Sequence, residues 1–549
     1  MDVPVAELLG RMSLDEKVGQ LFLLAFEADQ IDAAEMLFER YLVGGSYLSN
    51  DNLPTPEAAA QISGRIQEIA ARTQHGVPVL LGADQEGAWS VMYPGSSPGP
   101  GNMALGATGD PAQARAMYEV IGAECRTVGL HAVFGPCCDC NTNPDNVIIG
   151  VRSFGERAEL VAEMTEAAVA GALAAGALPT LKHFPGHGDT RVDSHRGLPI
   201  VERSREELFE IDLLPFAKGV AAGAPIVMTA HIVFPALDGA RPATLSPTIL
   251  GEILRGELGF EGVILSDSMN MKSMRANYDP LDAAIGAVNA GVDLVMLAEE
   301  HYDHDSDYLA RQIALIEGVR EAARDGRIRQ VRLDEAVGRV LALKAQIDLA
   351  QPIDPASVGS AAHRMIELSA ARRAMAIVRG SLELLPARRG APVTVVNTAL
   401  RSAYDILGLT RGIGPNQTDA AFDLFVAAIQ ERSPEAHVLS AEDVLAGARP
   451  AHEGLVLAVT ENHPLPGADF DQSVKHAVIE KLQAGGHLVQ VVALRDPYEL
   501  GAMPFVHDYL CAFGSRWCSA VAAAELVFGE IEASGASPVS VPGAGIEAR

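Results

Sequence analysis

Leu178-Pro179-Thr180-Leu181-Lys182-His183-Phe184-Pro185-Gly186-His187-Gly188-Asp189-Thr190-Arg191-Val192-Asp193-Ser194-His195 changes character part-way along. Residues 178–181 are a short apolar run of β type behind an Ala/Gly-rich helical segment. The fourteen residues from Lys182 onward hold three histidines, two aspartates, a lysine and two glycines. A hydrophobic core has no use for that mixture, because unpaired charges and imidazoles cost free energy to bury. Gly186 and Gly188 allow backbone angles and movement that other residues resist. Asp193 and His195 are two positions apart, close enough for the carboxylate to hold and charge-balance the ring. The stretch reads as a strand ending in a mobile catalytic loop.

Seven further apolar runs, at 21–26, 43–49, 77–84, 132–139, 225–231, 262–268 and 292–298, alternate with helical segments such as 55–73, 110–128, 158–175 and 205–222. A capping box, Ser13-Leu14-Asp15-Glu16, opens a helix ahead of the first run. Most runs are continuous, as parallel strands covered on both sides require. Eight such strands, each followed by a helix, predict a (β/α)8 TIM-like barrel. Barrel enzymes keep their chemistry at the C-terminal strand ends. Here those ends carry Asp84-Gln85-Glu86, Asp139, Lys182-His183, His231 and Ser266-Asp267-Ser268, whereas the strand starts carry Gly and Pro. A doubly wound open sheet would also collect polar residues there.

The 549 residues are too many for one core. A helix over 333–349 closes the barrel, which is expected to span 1–350. Gln351-Pro352-Ile353-Asp354-Pro355 reads as a linker, so 351–375 is taken as linker and connecting helix, with that helix running over 361–378. Candidate strands at 393–397, 455–460, 488–494 and 509–513, with helices between, predict a smaller α/β sandwich over 376–549. The Gly/Ser/Pro-rich tail after Ala533 is expected to fray.

A formal net charge of −29 repels nucleic acid and anionic membrane, so neither is an expected partner. It favours a neutral or cationic small molecule. The start carries acidic residues instead of the basic-then-apolar pattern of a signal peptide. No apolar stretch reaches the ~20 residues that span a bilayer, so the cytoplasm is expected. Six cysteines in so long a chain are not a disulfide framework. Cys137, Cys138 and Cys140 read as small core residues or as a zinc or redox site.

Asp267 ends an apolar strand between two serines and reads as a nucleophile or as the N-cap of the next helix. The Asp193/His195 pair suits general acid–base work, or is a loop salt link. His183 and His187, with Asp189 and Asp193, would be the zinc alternative. The other strand ends offer no His-X-His pair, so no metal and no cofactor are expected. Asp84, Arg152, Lys182 and His183 look like clamps for vicinal hydroxyls. Arg152 would equally suit an exposed surface. Trp89 could stack on a sugar face or simply pack in its loop.

At these residues the sequence resembles glycoside hydrolase family 3, in its β-N-acetylglucosaminidase branch. Lys182 to Gly188 and Asp193-Ser194-His195 match that branch's signature; related β-glucosidases lack the Asp-X-His dyad. The resemblance extends over Asp84-Gln85-Glu86-Gly87, 146–155, Met228-Thr229-Ala230-His231 and Ser266-Asp267. It implies a retaining double displacement on a terminal β-linked N-acetylglucosamine. Asp267 would be the nucleophile and His195 the acid/base, oriented by Asp193. Asp84, Arg152, Lys182, His183 and His231 would hold the sugar. Two departures stand out. Val151 occupies a position that is usually acidic or small and polar, and Ala88-Trp89-Ser90 replaces the usual Gly-Arg-Val. The missing arginine leaves specificity for a peptidoglycan fragment unsupported. The same residues would serve a β-N-acetylglucosaminide phosphorylase, and the barrel alone would serve a non-catalytic sugar-binding protein or a metal-dependent hydrolase. The oligomeric state is not legible.

Overall fold

The apolar runs of the first half become eight parallel strands: β1 Phe22–Leu24, β2 Gly45–Tyr47, β3 Leu80–Ala83, β4 Ala132–Val133, β5 Leu178–Phe184, β6 Ile226–Thr229, β7 Val263–Ser266 and β8 Val295–Leu297. The computed structural model describes residues 3–146, 148–191, 198–298, 307–381, 384–398, 417–462 and 472–549. The strands pair in the order β8-β1-β2-β3-β4-β5-β6-β7. A parallel bridge from Leu265 to Leu294, with the Ser266 N–H on the Leu294 carbonyl at 2.9 Å, closes the ring. The capping box at Ser13 forms and opens the helix Leu14–Gln20.

Side-chain alternation along a strand divides the core in two. Leu23, Leu80, Ala132, Leu178, Ile226, Met228, Val263, Leu265 and Met296 fill the barrel interior. Their neighbours Phe22, Leu24, Leu81, Val133, Leu181, Val227, Ile264 and Val295 pack outward with the helices. The same alternation, continued past the inward-facing residues, brings Asp84, Lys182 and Asp267 to the axis side of the C-terminal rim.

The second sheet runs β9 Ala376–Arg379, β10 Thr394–Asn397, β11 His437–Leu439, β12 Leu455–Thr460, β13 Leu488–Ala493 and β14 Tyr509–Cys511. Its order is β9-β14-β13-β12-β10-β11, parallel except for the β9–β14 pair. Two features depart from the sequence reading. The connecting helix ends at Ala374, and the residues that extended it to 378 form the antiparallel strand β9. The tail does not fray. Val539 and Val541 are buried, the Ala536 N–H meets the Ala107 carbonyl at 2.9 Å, and the Ser540 N–H meets Glu156 at 2.8 Å. Gly, Ser and Pro mark this segment as irregular, but irregular chain packs well where a neighbouring surface takes its hydrogen bonds. No helix among the described residues is long and apolar enough to cross a membrane.

Candidate active site

The rim beyond β3 and β5 is an interlocked set of charges. Lys182 Nζ donates to Asp84 Oδ1 at 2.6 Å and lies 3.5 Å from Glu86 Oε2. Tyr47 OH donates to Asp84 Oδ2 at 3.0 Å. Arg152 Nε donates to Glu86 Oε1 at 2.6 Å. Burial works against both cations, but carboxylates outweigh it: Asp84 and Glu86 raise the Lys182 pKa, and Glu86 leads in raising that of Arg152. Both cations therefore remain charged at neutral pH. Arg152 is buried, so the surface reading of it does not hold. Its guanidinium lies over the Trp89 ring, 4.8 Å from the centroid. Trp89 thus backs the arginine.

Behind this set, Asp139 organises the imidazoles. It accepts from the His187 N–H at 2.7 Å, the His183 N–H at 3.2 Å and Cys137 Sγ at 3.1 Å, and it meets His183 Nδ1 at 2.8 Å. Burial opposes its charge, yet His183 and these donors hold its pKa well below the usual carboxylate range. Arg152 Nη2 lies 3.4 Å from His183 Nε2. A guanidinium can only donate, so Nε2 accepts and the His183 proton sits on Nδ1, facing Asp139. His187, edge-on to His183, is pushed down to a pKa of about 4 by burial and by the His183 ring. The glycines of the loop have a packing reason. A Cβ on Gly188 would sit 1.8 Å from the Cys140 carbonyl oxygen, and one on Gly186 would meet Asp212 at 2.8 Å.

Asp267 follows β7 and is partly exposed, with Oδ1 accepting the Ser268 N–H at 2.7 Å. It is not an N-cap: that position of the next helix, Lys272–Arg275, is held by Met271, with no side-chain cap. The flanking serines tie β7 to β8, since Ser266 Oγ accepts the Met296 N–H at 2.9 Å and Ser268 Oγ that of Ala298 at 3.1 Å. His231 is buried, with Nδ1 2.8 Å from Thr244 Oγ1 and Nε2 3.0 Å from the Ser268 carbonyl. Its ring therefore braces the Asp267 turn. Asp193 and His195 lie outside the described residues.

The zinc alternative does not assemble among the described residues. Asp189 turns to Thr142 at 2.9 Å and Arg203 at 3.0 Å. A different trio, Cys137, Asp139 and His183, has ligand atoms within 4.8 Å of one another, joined by the hydrogen bonds above. All six cysteines are unpaired and buried, as core residues are. The sequence reading passed over Glu86 and Asp139 as site members. Glu86 lies in the turn just beyond the strand end that carries Asp84, and its place in the Asp84-Gln85-Glu86 run is the local signal for it.

A closed parallel barrel with a rim of paired carboxylates, two buried cations and braced imidazoles has its polar groups at the end where barrel enzymes keep their chemistry. Residues 13–343 match the profile of the glycosyl hydrolase family 3 N terminal domain, and the chain belongs to that family. It is 34% identical over 383 residues to beta-hexosaminidase A of Pseudoalteromonas piscicida, covering 65% of this chain and 62% of that protein, which is therefore longer than the stretch matched. It is 31% identical over 434 residues to the beta-N-acetylglucosaminidase/beta-glucosidase of Cellulomonas fimi, covering 77% and 73%. Among solved structures, a family 3 beta-N-acetylglucosaminidase from Paenibacillus superposes with a TM-score of 0.82 at 30% identity, covering 97% of this chain and 99% of that one.

Proposed function

We propose that this chain is an exo-acting, retaining glycosidase that releases terminal β-linked N-acetylglucosamine. A catalytic barrel over 1–350 would carry the site, followed by a linker and connecting helix over 351–375 and an accessory α/β sandwich over 376–549. What supports the reading is the Lys182–Asp84 ion pair next to the Arg152–Glu86 and Arg152–His183 contacts, with Asp267 following another strand of the same parallel barrel. Asp84, Lys182, Arg152 and His183 hold the sugar hydroxyls with charged donors and acceptors. Asp267 attacks C1 while His195, oriented by Asp193, gives its proton to the departing glycosidic oxygen. The same imidazole then takes a proton from water, which displaces Asp267 and restores the carboxylate. A histidine here stands in for the second carboxylate of the usual pair. His231 holds the Asp267 turn. The six unpaired cysteines fit a reducing compartment such as the cytoplasm. The names of the Pseudoalteromonas and Paenibacillus relatives support an N-acetylhexosamine substrate; that of the Cellulomonas relative makes an aryl β-glucoside a necessary comparison.

The test is peptide mass spectrometry after inactivation with a 5-fluoro glycosyl fluoride. The label is expected on the peptide containing Asp267; a label on another carboxylate would overturn the assignment. Product analysis in phosphate buffer should give N-acetylglucosamine, whereas sugar 1-phosphate would move the reading to phosphorolysis.

A further inference from the structure

The loop that carries Arg152 is held from outside the barrel. The Gly150 N–H donates to Asn141 Oδ1 at 3.1 Å, and Asn141 Nδ2 donates to Tyr498 OH at 2.6 Å. Tyr498 is fixed in turn: its N–H meets Asp496 Oδ1 at 3.2 Å, an oxygen that also accepts from Asn462 Nδ2 at 2.6 Å. Val151 is buried in the apolar cluster that contains Leu500, Met503, Val539 and Val541. At the other end of the loop, the Glu156 N–H meets the Pro538 carbonyl at 3.1 Å, and the Glu156 carboxylate accepts from the Ser540 N–H at 2.8 Å and from its hydroxyl at 2.5 Å. Within 150–156 the regular structure is one 3-10 turn, Gly150–Arg152. So short a turn cannot order the loop by itself, because ordering each residue costs conformational entropy that local bonds barely offset.

Resting on the proposed function, we propose that Tyr498 is a positioning residue for Arg152, and that the sandwich and tail hold the 150–156 loop so that the guanidinium stays on Glu86 and His183 and faces the sugar. This accounts for Val151. An acidic residue at that position would put a charge into an apolar cluster. The chain therefore exchanges a polar residue at the site for an anchor beneath it. A guanidinium displaced by even an ångström breaks its bond to Glu86 and its contact with His183, so an anchor outside the site acts on substrate affinity.

The experiment is a double-mutant cycle in the full chain, with Tyr498→Phe and Arg152→Ala assayed on an aryl β-N-acetylglucosaminide. Tyr498→Phe removes one hydrogen-bond acceptor and should raise KM about five-fold with kcat within about two-fold. In the Arg152→Ala background the same change should move KM by less than about two-fold, because its effect passes through the arginine. A purely structural tyrosine would instead lower kcat through the active fraction, or add fully to Arg152→Ala; either overturns the inference. A second reading needs no turnover. Trp89 and Trp517 are the two tryptophans, so in a Trp517→Phe chain the emission reports the Arg152–Trp89 stack. Tyr498→Phe should shift it. A shift in a chain inactive on glycosides would defeat the proposed function and leave the loop coupling intact; unchanged emission defeats the coupling itself.

Discussion

At the N-terminal end of the barrel, Asp293 takes hydrogen bonds from Arg255 at 2.6 Å, Arg332 at 2.7 Å, Arg339 at 3.2 Å and the Ile264 N–H at 3.0 Å. At the C-terminal end, Asp84 and Glu86 share Lys182 and Arg152. Both clusters are buried ion networks with strong internal fields. They differ in what remains. Each Asp293 oxygen is doubly occupied and the side chain is 0% exposed, whereas Asp84 keeps 18% of its side chain exposed and Glu86 Oε2, 3.5 Å from Lys182 Nζ, accepts no hydrogen bond from the described residues. A saturated cluster locks strands to a helix; an unsaturated one on a rim can take a ligand. Charge density alone therefore does not mark a site, but residual capacity at the end where strand alternation gathers polar groups does.

Substitutions should separate the two ends. Asp267→Ala should lower kcat on the aryl β-N-acetylglucosaminide by more than about a thousand-fold while leaving thermal unfolding nearly unchanged. Its carboxylate is partly exposed, so calorimetry beside the assay checks both halves. Arg332→Met should do the reverse. It removes one hydrogen bond each from Asp293 and from the Val288 and Val292 carbonyls, at a cost of about 3 kcal/mol in denaturant unfolding, with KM of the folded enzyme unchanged. Lys182→Met should combine the two in weaker form. We expect kcat/KM to fall about a hundred-fold, with a smaller stability loss than at Arg332, because Asp84 can turn to water. A larger stability loss at Lys182 than at Arg332 would erase the distinction between the clusters.

The contrast also explains what the sequence could and could not disclose. The strands and their polar C-terminal ends, with Asp267 following β7, were legible because each is a local pattern: an apolar run with a polar end. The rim's inner side followed from alternation over two or four residues. The Asp293 cluster was not legible, and the expectation of Gly and Pro at strand starts missed it. Its arginines arrive from other elements, Arg332 39 residues away. Arg152 looked as much like a surface residue as a clamp because its partner Glu86 is 66 residues upstream. The docked tail meets Glu156 across 384 residues, a contact no composition rule could find. Residue type predicts what a side chain can do; the long-range partner decides whether that capacity is consumed or left for a ligand.

The smallest expected effect is a pH dependence of stability shared by both ends. His187 at the rim and His131 near the base are buried neutral imidazoles, with pKa values pushed down to about 4 and about 3, in each case chiefly by burial; Arg126 and Lys344 add to the depression at His131. An imidazole whose pKa is depressed by folding contributes full stability above its unfolded value and loses it as pH falls toward the folded one. Between pH 6.5 and pH 4 the unfolded chain takes up protons that the folded chain refuses. At pH 5 each ring should cost about 2 kcal/mol relative to pH 7. His131→Gln should flatten the slope of unfolding free energy against pH by one proton's contribution in that window and leave KM alone. His187→Gln should flatten it equally and raise KM as well, because His187 packs edge-on against His183 at 5.6 Å. Equal slopes in wild type and in both variants would mean that other groups carry the acid sensitivity. Equal KM values in the two variants would mean that the rim imidazoles do not act together.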